Sequence, residues 1–261
     1  MFPDQSLNLA ALALALGARA RRFDADLLAE CDSTNAVLLA RAEADAPGGT
    51  VVIAERQTAG RGRRGRAWIS APGDSLTFSL LWRFAPGTAP AGLSLAVGLA
   101  VARGIAKLGA GDTVLKWPND LLRDGRKLGG ILVELVPGAP HAAVIGIGLN
   151  LRLPAALPAE LRDGTAALGP CDPNLLLAAI LTELLAVLEV FGAAGFAPLR
   201  ADWRARHAFE DAPVRLLSDF APPRAGICRG VDTDGALLLE VDGRVERVLS
   251  GELSLRGVEG S

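Results

Sequence analysis

The feature that most constrains this chain is a pair of segments, Lys116-Trp117-Pro118-Asn119-Asp120 and Lys127-Leu128-Gly129-Gly130-Ile131-Leu132-Val133-Glu134, with Asp124-Gly125 between them. Thr113 to Trp117 predict a short strand. Pro118-Asn119 is turn chemistry, because proline fixes φ and gives up its amide donor. Asp124-Gly125 is the signature of a type I′ hairpin turn. Arg126 to Leu135 then return as a strand rich in Ile, Leu and Val. Adjacent strands of this kind let Lys116, Asp120 and Lys127 converge on one spot. Gly129-Gly130 weaken the returning strand and mark a place where a ligand could approach the backbone. Of the 27 basic side chains only Lys107, Lys116 and Lys127 are lysine, and two of these fall in this unit. An ammonium is a compact point charge with three rotatable donors, unlike the planar guanidinium that is the default cation here. The plain alternative is an exposed hairpin carrying two solvated lysines.

Composition narrows the classes. The 261 residues suffice for one large domain and one small one, with the change of texture near Asp211 dividing them into 1–210 and 211–261. A net charge of −2 gives no global signal for nucleic acid. Cys31, Cys171 and Cys228 show no CxxC spacing, which predicts reduced thiols, a cytoplasmic setting and no metal framework. With His141 and His207 as the only histidines, a two-His metal site or a Ser-His-Asp triad is not expected. Leu7 to Leu16 form an apolar run like a signal-peptide core, but the preceding MFPDQS lacks positive charge and carries Asp4. The run is too short to span a bilayer, so a short helix packed on the body is expected, and no membrane span is expected elsewhere.

In order, Phe23 to Cys31 predict a strand, and Ala36 to Ala44 a helix capped by Asp32 or Ser33. Ser33, Thr34 and Asn35 also offer hydroxyl and amide groups at a helix N-terminus, where a small polar ligand could bind. Thr50 to Glu55 predict a buried strand. After Gln57, Gly60-Arg61-Gly62-Arg63-Arg64-Gly65-Arg66-Ala67-Trp68 matches GxGxxG, but a dinucleotide fingerprint must open a helix, and here Leu76 to Arg83 predict another strand. Glycines give the loop freedom and four guanidiniums give it affinity for phosphate, so it reads as a flexible anion clamp. A nucleic-acid patch and a solvated charge run are the rivals. Ala91 to Leu108 predict an amphipathic helix. Ala142 to Leu151 predict a strand with Gly146 and Gly148 on one face and Asn150 near its end. Leu153 to Asp172 read as a loop, Pro173 to Phe191 as a long apolar helix capped by Asp172, and Phe196 to His207 as another helix. Val214–Leu217, Ala225–Val231, Ala236–Val241 and Arg244–Leu249 predict short strands, with Asp234-Gly235 and Asp242-Gly243 as hairpin turns.

Five of these motifs, in this order, resemble the biotin protein ligases: Asp32-Ser-Thr-Asn35; Gln57 with Gly60 to Arg66 and Trp68; Lys116 to Asp120; Lys127 to Glu134; and Gly146-Ile-Gly-Leu-Asn150. Gly235 to Glu240 and Gly251-Glu252 with Arg256 fit as well. The resemblance implies an α+β fold, a mixed sheet with flanking helices related to class II aminoacyl-tRNA synthetases, plus a small C-terminal SH3-like β-barrel. It implies that biotin's carboxylate attacks the α-phosphate of ATP, with Mg2+, giving biotinyl-AMP. A lysine of a biotin carboxyl carrier protein, as in acetyl-CoA carboxylase, then takes the biotinyl group. By resemblance Lys127, Arg63 and Asp120 are catalytic. Ser33, Thr34, Asn35, Gln57, Gly60, Arg61, Arg63, Lys127, Gly129 and Gly130 face biotin. Arg63, Arg64, Arg66, Trp68, Lys116, Asn119, Asp120, Lys127, Asn150 and Arg256 face the nucleotide, and no metal site is built from protein ligands. The resemblance admits a homodimer. Some members carry an N-terminal helix-turn-helix and repress transcription. About thirty residues precede Asp32, too few for a separate domain, so no DNA partner is expected. The 153–172 loop has no aromatic residue, whereas some relatives cover adenine with a Trp there, so aliphatic side chains must do so here. A related acyl ligase such as a lipoate ligase, and a non-catalytic biotin-binding regulator, are the alternatives.

Overall fold

The computed structural model describes residues 6–153, 155, 157–218, 222–249 and 253–257. Asp4, Gly251 and Glu252, singled out above, lie outside the described residues. The strands are β1 (Asp24–Cys31), β2 (Thr50–Gln57), β3 (Ser75–Arg83), β4 (Val114–Lys116), β5 (Asp120–Arg123), β6 (Arg126–Val136) and β7 (Ala139–Asn150), followed by β8 (Pro213–Ser218), β9 (Arg224–Val231), β10 (Leu237–Val241), β11 (Arg244–Val248) and β12 (Leu253–Gly257). The helices are α1 (Leu9–Leu16), α2 (Thr34–Glu43), α3 (Leu93–Lys107), α4 (Ala159–Arg162), α5 (Pro173–Ala194) and α6 (Arg200–Arg204).

The first seven strands make one mixed sheet in the order β1-β2-β3-β7-β6-β5-β4. β1 and β2 are parallel and the other pairs are antiparallel. Period-two alternation decides which face does what. On one face Val51, Ile53, Leu76, Phe78, Leu80, Ile145, Ile147 and Leu149 join the main core with α1, α3 and α5. On the other face α2 covers one end through Leu38, Ala42, Val52, Leu81 and Val144. Beyond the N-terminus of α2 that same face turns small and polar: Thr77, Gly130, Gly146, Gly148 and Asn150. The sheet is therefore packed on one side throughout and left open on half of the other.

α3 was expected to be amphipathic, yet it is buried from Leu93 to Ile105 except at Ser94 and Arg103. It is sandwiched between the sheet and α5, and a Cβ at Gly104 would sit 2.8 Å from Ile180 Cα. α5 is long and apolar enough to cross a membrane by length and composition, but 61% of its apolar window is buried in the protein against α1 and α3. Asp172 caps α5, its carboxylate accepting from the Asn174 and Leu175 amides. Ser33 takes the N-cap position of α2, but its hydroxyl makes no cap bond, and Asp32 Oδ1 instead accepts from the Ser33 amide at 2.6 Å.

The C-terminal strands form a second, antiparallel sheet in the order β11-β10-β9-β8-β12. Its end strands β11 and β12 each pair with one inner neighbour among the described residues. Strand β12 was not foreseen. Contacts just before and within the second sheet tie it to the first. The backbone of Leu115 in β4 bonds with Arg206 and Ala208, and the fully buried Trp117 donates its indole N–H to Gly235 O at 3.1 Å.

Candidate active site

The open half of the sheet is the floor of a cavity of about 520 Å3. Glycines make the floor. A Cβ at Gly146 would collide with Asn35 Oδ1, and one at Gly148 with the Trp68 indole. Gly130 pairs with Gly148 across β6 and β7, extending the shallow stripe toward Asp120.

A bulge aims the key lysine. Asp120 pairs with Gly130, Leu121 with Gly129, but Leu122 with Lys127, so Leu128 is the extra residue. Under strict alternation Lys127 would fall on the core face with Gly129; the bulge lets Leu128 be buried there and Lys127 turn to the cavity. Asp120 then holds both lysines, Oδ2 lying 2.9 Å from Lys116 Nζ and Oδ1 2.7 Å from Lys127 Nζ. The convergence read from sequence is thus present. The two lysines differ in access: the Lys116 side chain is 7% exposed and that of Lys127 is 42% exposed. Burial pushes Lys116 below the usual lysine range, although Asp120 opposes it. Burial also pushes Asp120 up, but Lys127 and then Lys116 outweigh it and hold the carboxyl below its usual value. Two cations around one anion leave surplus positive charge facing the cavity. Arg63, Arg64, Arg66 and Arg256 add to it from the arginine loop and from β12.

The arginine loop folds over the cavity. Arg61 bridges Ala67, and Arg63 to Gly65 make a 3-10 turn with Arg64 at φ 61. Arg61 Nη2 reaches Glu134 Oε2 at 3.3 Å, and Arg63 Nη1 donates to Asn119 Oδ1 at 3.2 Å. Burial lowers the Arg63 pKa, with Asp120 opposing. The Trp68 indole N–H lines the cavity and is buried with no hydrogen-bond partner among the described residues.

At the other end a polar network surrounds the α2 N-terminus. Gln57 Oε1 accepts from the Thr34 amide at 2.7 Å and from its hydroxyl at 3.1 Å. The Ser79 hydroxyl lies 2.7 Å from Thr34 Oγ1 and donates to Asn35 Oδ1 at 2.6 Å. Ser33, Thr34 and Asn35 are buried. Opposite, Leu157 and, in α4, Glu160 and Leu161 line the far end of the cavity, inside the segment read as a loop. That segment is tied to Lys127, whose amide donates to Gly164 O and whose carbonyl accepts from Ala166, both at 2.8 Å. Asn150 Nδ2 donates to Ala166 O at 3.1 Å.

Ser33, Thr34, Asn35, Gln57, Arg61, Arg63, Arg64, Arg66, Trp68, Lys116, Asn119, Asp120, Lys127, Gly130, Asn150 and Arg256 line this one cavity. Gly60 and Gly129 do not, and packing explains both. A Cβ at Gly60 would meet Trp68 O and the Gln57 side chain, and one at Gly129 would meet Leu149 and Gly148 O, within the sheet. Thr77, Gly146 and Gly148 were not assigned to the site, although the two glycines were visible as a one-face pair. Glu160 and Leu161 carried no sequence signal, because a four-residue helix shows no periodicity. No group of three metal-ligating side chains occurs among the described residues.

Residues 28–150 match the biotin/lipoate A/B protein ligase family. The chain is 43% identical over 235 residues to the bifunctional ligase/repressor BirA of Escherichia coli, covering 87% of this chain and 73% of that one. It is 40% identical over 239 residues to the biotin–[acetyl-CoA-carboxylase] ligase of Mycobacterium tuberculosis, covering 87% of each. Among solved structures, biotin protein ligase from Aquifex aeolicus in complex with biotin and ATP superposes with a TM-score of 0.79 at 29% identity, over 90% of this chain and 99% of that one.

Proposed function

The chain belongs to the biotin/lipoate A/B protein ligase family as a biotin–[acetyl-CoA-carboxylase] ligase, and from that premise we propose how its own residues carry the reaction. The enzyme activates biotin as biotinyl-5′-AMP and transfers the biotinyl group to an acceptor protein. In the first step a carboxylate oxygen attacks the α-phosphorus and pyrophosphate leaves. Anion meets anion, so the protein's main task is positioning and charge neutralisation. Lys127 is the cation between biotin carboxylate and α-phosphate, because it is the accessible member of the Lys116–Asp120–Lys127 cluster. Lys116, buried beneath, fixes Asp120. Arg63, Arg64, Arg66 and Arg256 hold phosphates, and closure of the arginine loop keeps water from the mixed anhydride.

Biotin's polar ureido end lies against Ser33, Thr34, Gln57 and the Arg61 segment, and its aliphatic tail runs past the Trp68 indole that covers Gly148 and along Gly130 toward Lys127. Adenine lies beside Asn119 and Asn150 under Leu157 and Leu161, which supply the cover an aromatic residue would give. Magnesium arrives on the nucleotide, since this ion binds through phosphates and one or two carboxylates; Asp120 and Glu160 are the carboxylates that line the cavity. In the second step a lysine amine of a biotin carboxyl carrier protein attacks the anhydride carbonyl, AMP leaves, and Asp120 orients that amine. The C-terminal sheet serves as an SH3-like module that brings Arg256 to the nucleotide, and the setting is the cytoplasm.

The observation that carries this reading is the surplus cation of the Lys116–Asp120–Lys127 cluster at the rim of a glycine-floored cavity. The test offers biotin, lipoate or neither with MgATP and follows labelled pyrophosphate into ATP. Biotin-dependent exchange is expected; exchange supported by lipoate in its place would overturn the substrate assignment.

A further inference from the structure

We propose that Glu134 is a positioning residue that latches the arginine loop to the biotin end of the cavity. The proposal rests on the functional reading above. One carboxylate oxygen, Oε2, takes two partners: Asn35 Nδ2 at 2.7 Å and Arg61 Nη2 at 3.3 Å. Asn35 is buried, and every polar atom of its amide is committed. Its oxygen accepts from Ser79, and its nitrogen donates to Glu134 and, at 3.3 Å, to Leu132 O. The absence of a side chain at Gly146 is what lets this amide lie against the sheet. Arg61 stands at the neck of the arginine loop, where its backbone bridges Ala67. A continuous chain of polar contacts therefore runs from Gln57 through Thr34, Ser79, Asn35 and Glu134 to Arg61.

The two ends of that chain face the same ligand. Thr34 and Gln57 line the cavity floor, and Arg61 belongs to its lid. A polar group of biotin that bonds Thr34 or Gln57 joins the network that orients Asn35 through Ser79, and Asn35 in turn orients Glu134. Glu134 thereby converts occupancy of the biotin end into a fixed position of the loop neck. The charge pair alone is worth little, since the Arg61 and Glu134 side chains are 46% and 27% exposed. Its weight comes from Asn35, which holds the carboxylate in place before Arg61 arrives, so little rotamer freedom is lost on closing. Glu134 touches none of the reacting atoms, and its loss should spare the chemical step.

Glu134→Gln keeps the shape and an acceptor for Asn35 but removes the charge that holds Arg61. Three quantities are measured: the rate and biotin KM of pyrophosphate exchange, the escape of labelled biotinyl-AMP during a chase, and the salt dependence of that escape. The variant should keep its exchange kcat within about twofold, raise the biotin KM and the escape rate about fivefold, and show a weaker salt dependence of escape than the native protein. A merely structural residue would not weaken the salt dependence. Arg61→Gln, made on the exposed side where folding is not at risk, should raise escape similarly, and the double variant should be no worse than either single one. Native retention and native salt dependence in Glu134→Gln would overturn the latch. So would escape effects that multiply in the double variant. Absence of biotin-dependent exchange in the native protein would instead overturn the functional reading itself, and the latch with it.

Discussion

Two clusters of ionisable side chains flank the short strand β4, and only one of them faces a void. On the cavity side stand Lys116, Asp120 and Lys127. Behind, where Leu115 bonds with Arg206 and Ala208, stand Arg204, His207, Glu210 and Cys228. His207 stacks on Trp203 with ring centroids 4.6 Å apart, and its Nδ1 lies 3.5 Å from Glu210 Oε2 and 3.9 Å from Cys228 Sγ. Arg204 pairs with the same Glu210. The Arg204 pKa is raised by its hydrogen bond to Glu210, but burial governs His207 and Cys228 in this second cluster. It lowers the His207 pKa to about 4 and pushes the Cys228 thiol up to about 11, so both are neutral at neutral pH. In the first cluster burial acts too, yet Asp120 is held below its usual value because two ammonium groups lie within 3 Å. A perturbed pKa is therefore not what marks the site. The site is marked by unequal pairing that leaves charge over, facing open space; the joint behind β4 is silenced by desolvation.

That contrast can be broken most forcefully at Lys127. Lys127→Ala should lower biotin-dependent pyrophosphate exchange about a thousandfold, as expected for removal of one preorganised electrostatic group, with an unchanged circular dichroism spectrum. Lys127→Arg should also fail, by about a hundredfold, because a planar fork does not replace a point charge. An active Lys127→Ala would place the surplus cation elsewhere.

The silent cluster should report through stability. The folded pKa of His207 is about 4 and its ordinary value 6.5, so the unfolded chain binds the proton more readily. Stability from the neutral imidazole is complete above pH 6.5 and is lost as pH falls toward 4. Between pH 7 and 4.5 the loss is about 2–3 kcal/mol. Urea unfolding at the two pH values checks this. His207→Gln should flatten the pH slope between them while leaving the pH dependence of exchange unaltered. The contribution of Asp120, whose folded pKa is lowered, is lost only at still lower pH.

The smallest effect belongs to the lid. Arg63→Gly removes the bond to Asn119 Oδ1 and a phosphate-facing guanidinium, and should raise escape of biotinyl-AMP about tenfold. Promiscuous biotinylation of added bystander proteins would reveal it; tight retention of the intermediate would remove the loop from the account.

Much of this architecture was legible because it depends on local pattern. Apolar runs bounded by turn residues exposed the strands of the large sheet other than β5. Asp124-Gly125 and Asp242-Gly243 take positive φ at both residues, as the I′ turn requires. At Asp234-Gly235 only the glycine does. There the Asp232 carboxylate builds the turn, accepting from the Asp234 and Ala236 amides. The illegible parts depend on which remote segments meet. The Leu128 bulge exists only in the pairing with β5, the Trp117–Gly235 bond spans 118 residues, and Trp68 fits over Gly148 only once the loop has closed. At Gly60 and Gly129 tight backbone packing makes the same demand on the sequence as ligand approach does.

The central claim is that the cavity-facing cluster, and not its buried neighbour, carries the chemistry. Single-turnover formation of biotinyl-AMP from MgATP and labelled biotin, followed by transfer to a carrier domain, tests it in native protein, Lys127→Ala and His207→Gln measured side by side at neutral pH. The account predicts adenylate and labelled carrier from the native protein and from His207→Gln at similar rates, and neither from Lys127→Ala. Adenylate formed at a native rate by folded Lys127→Ala would contradict it.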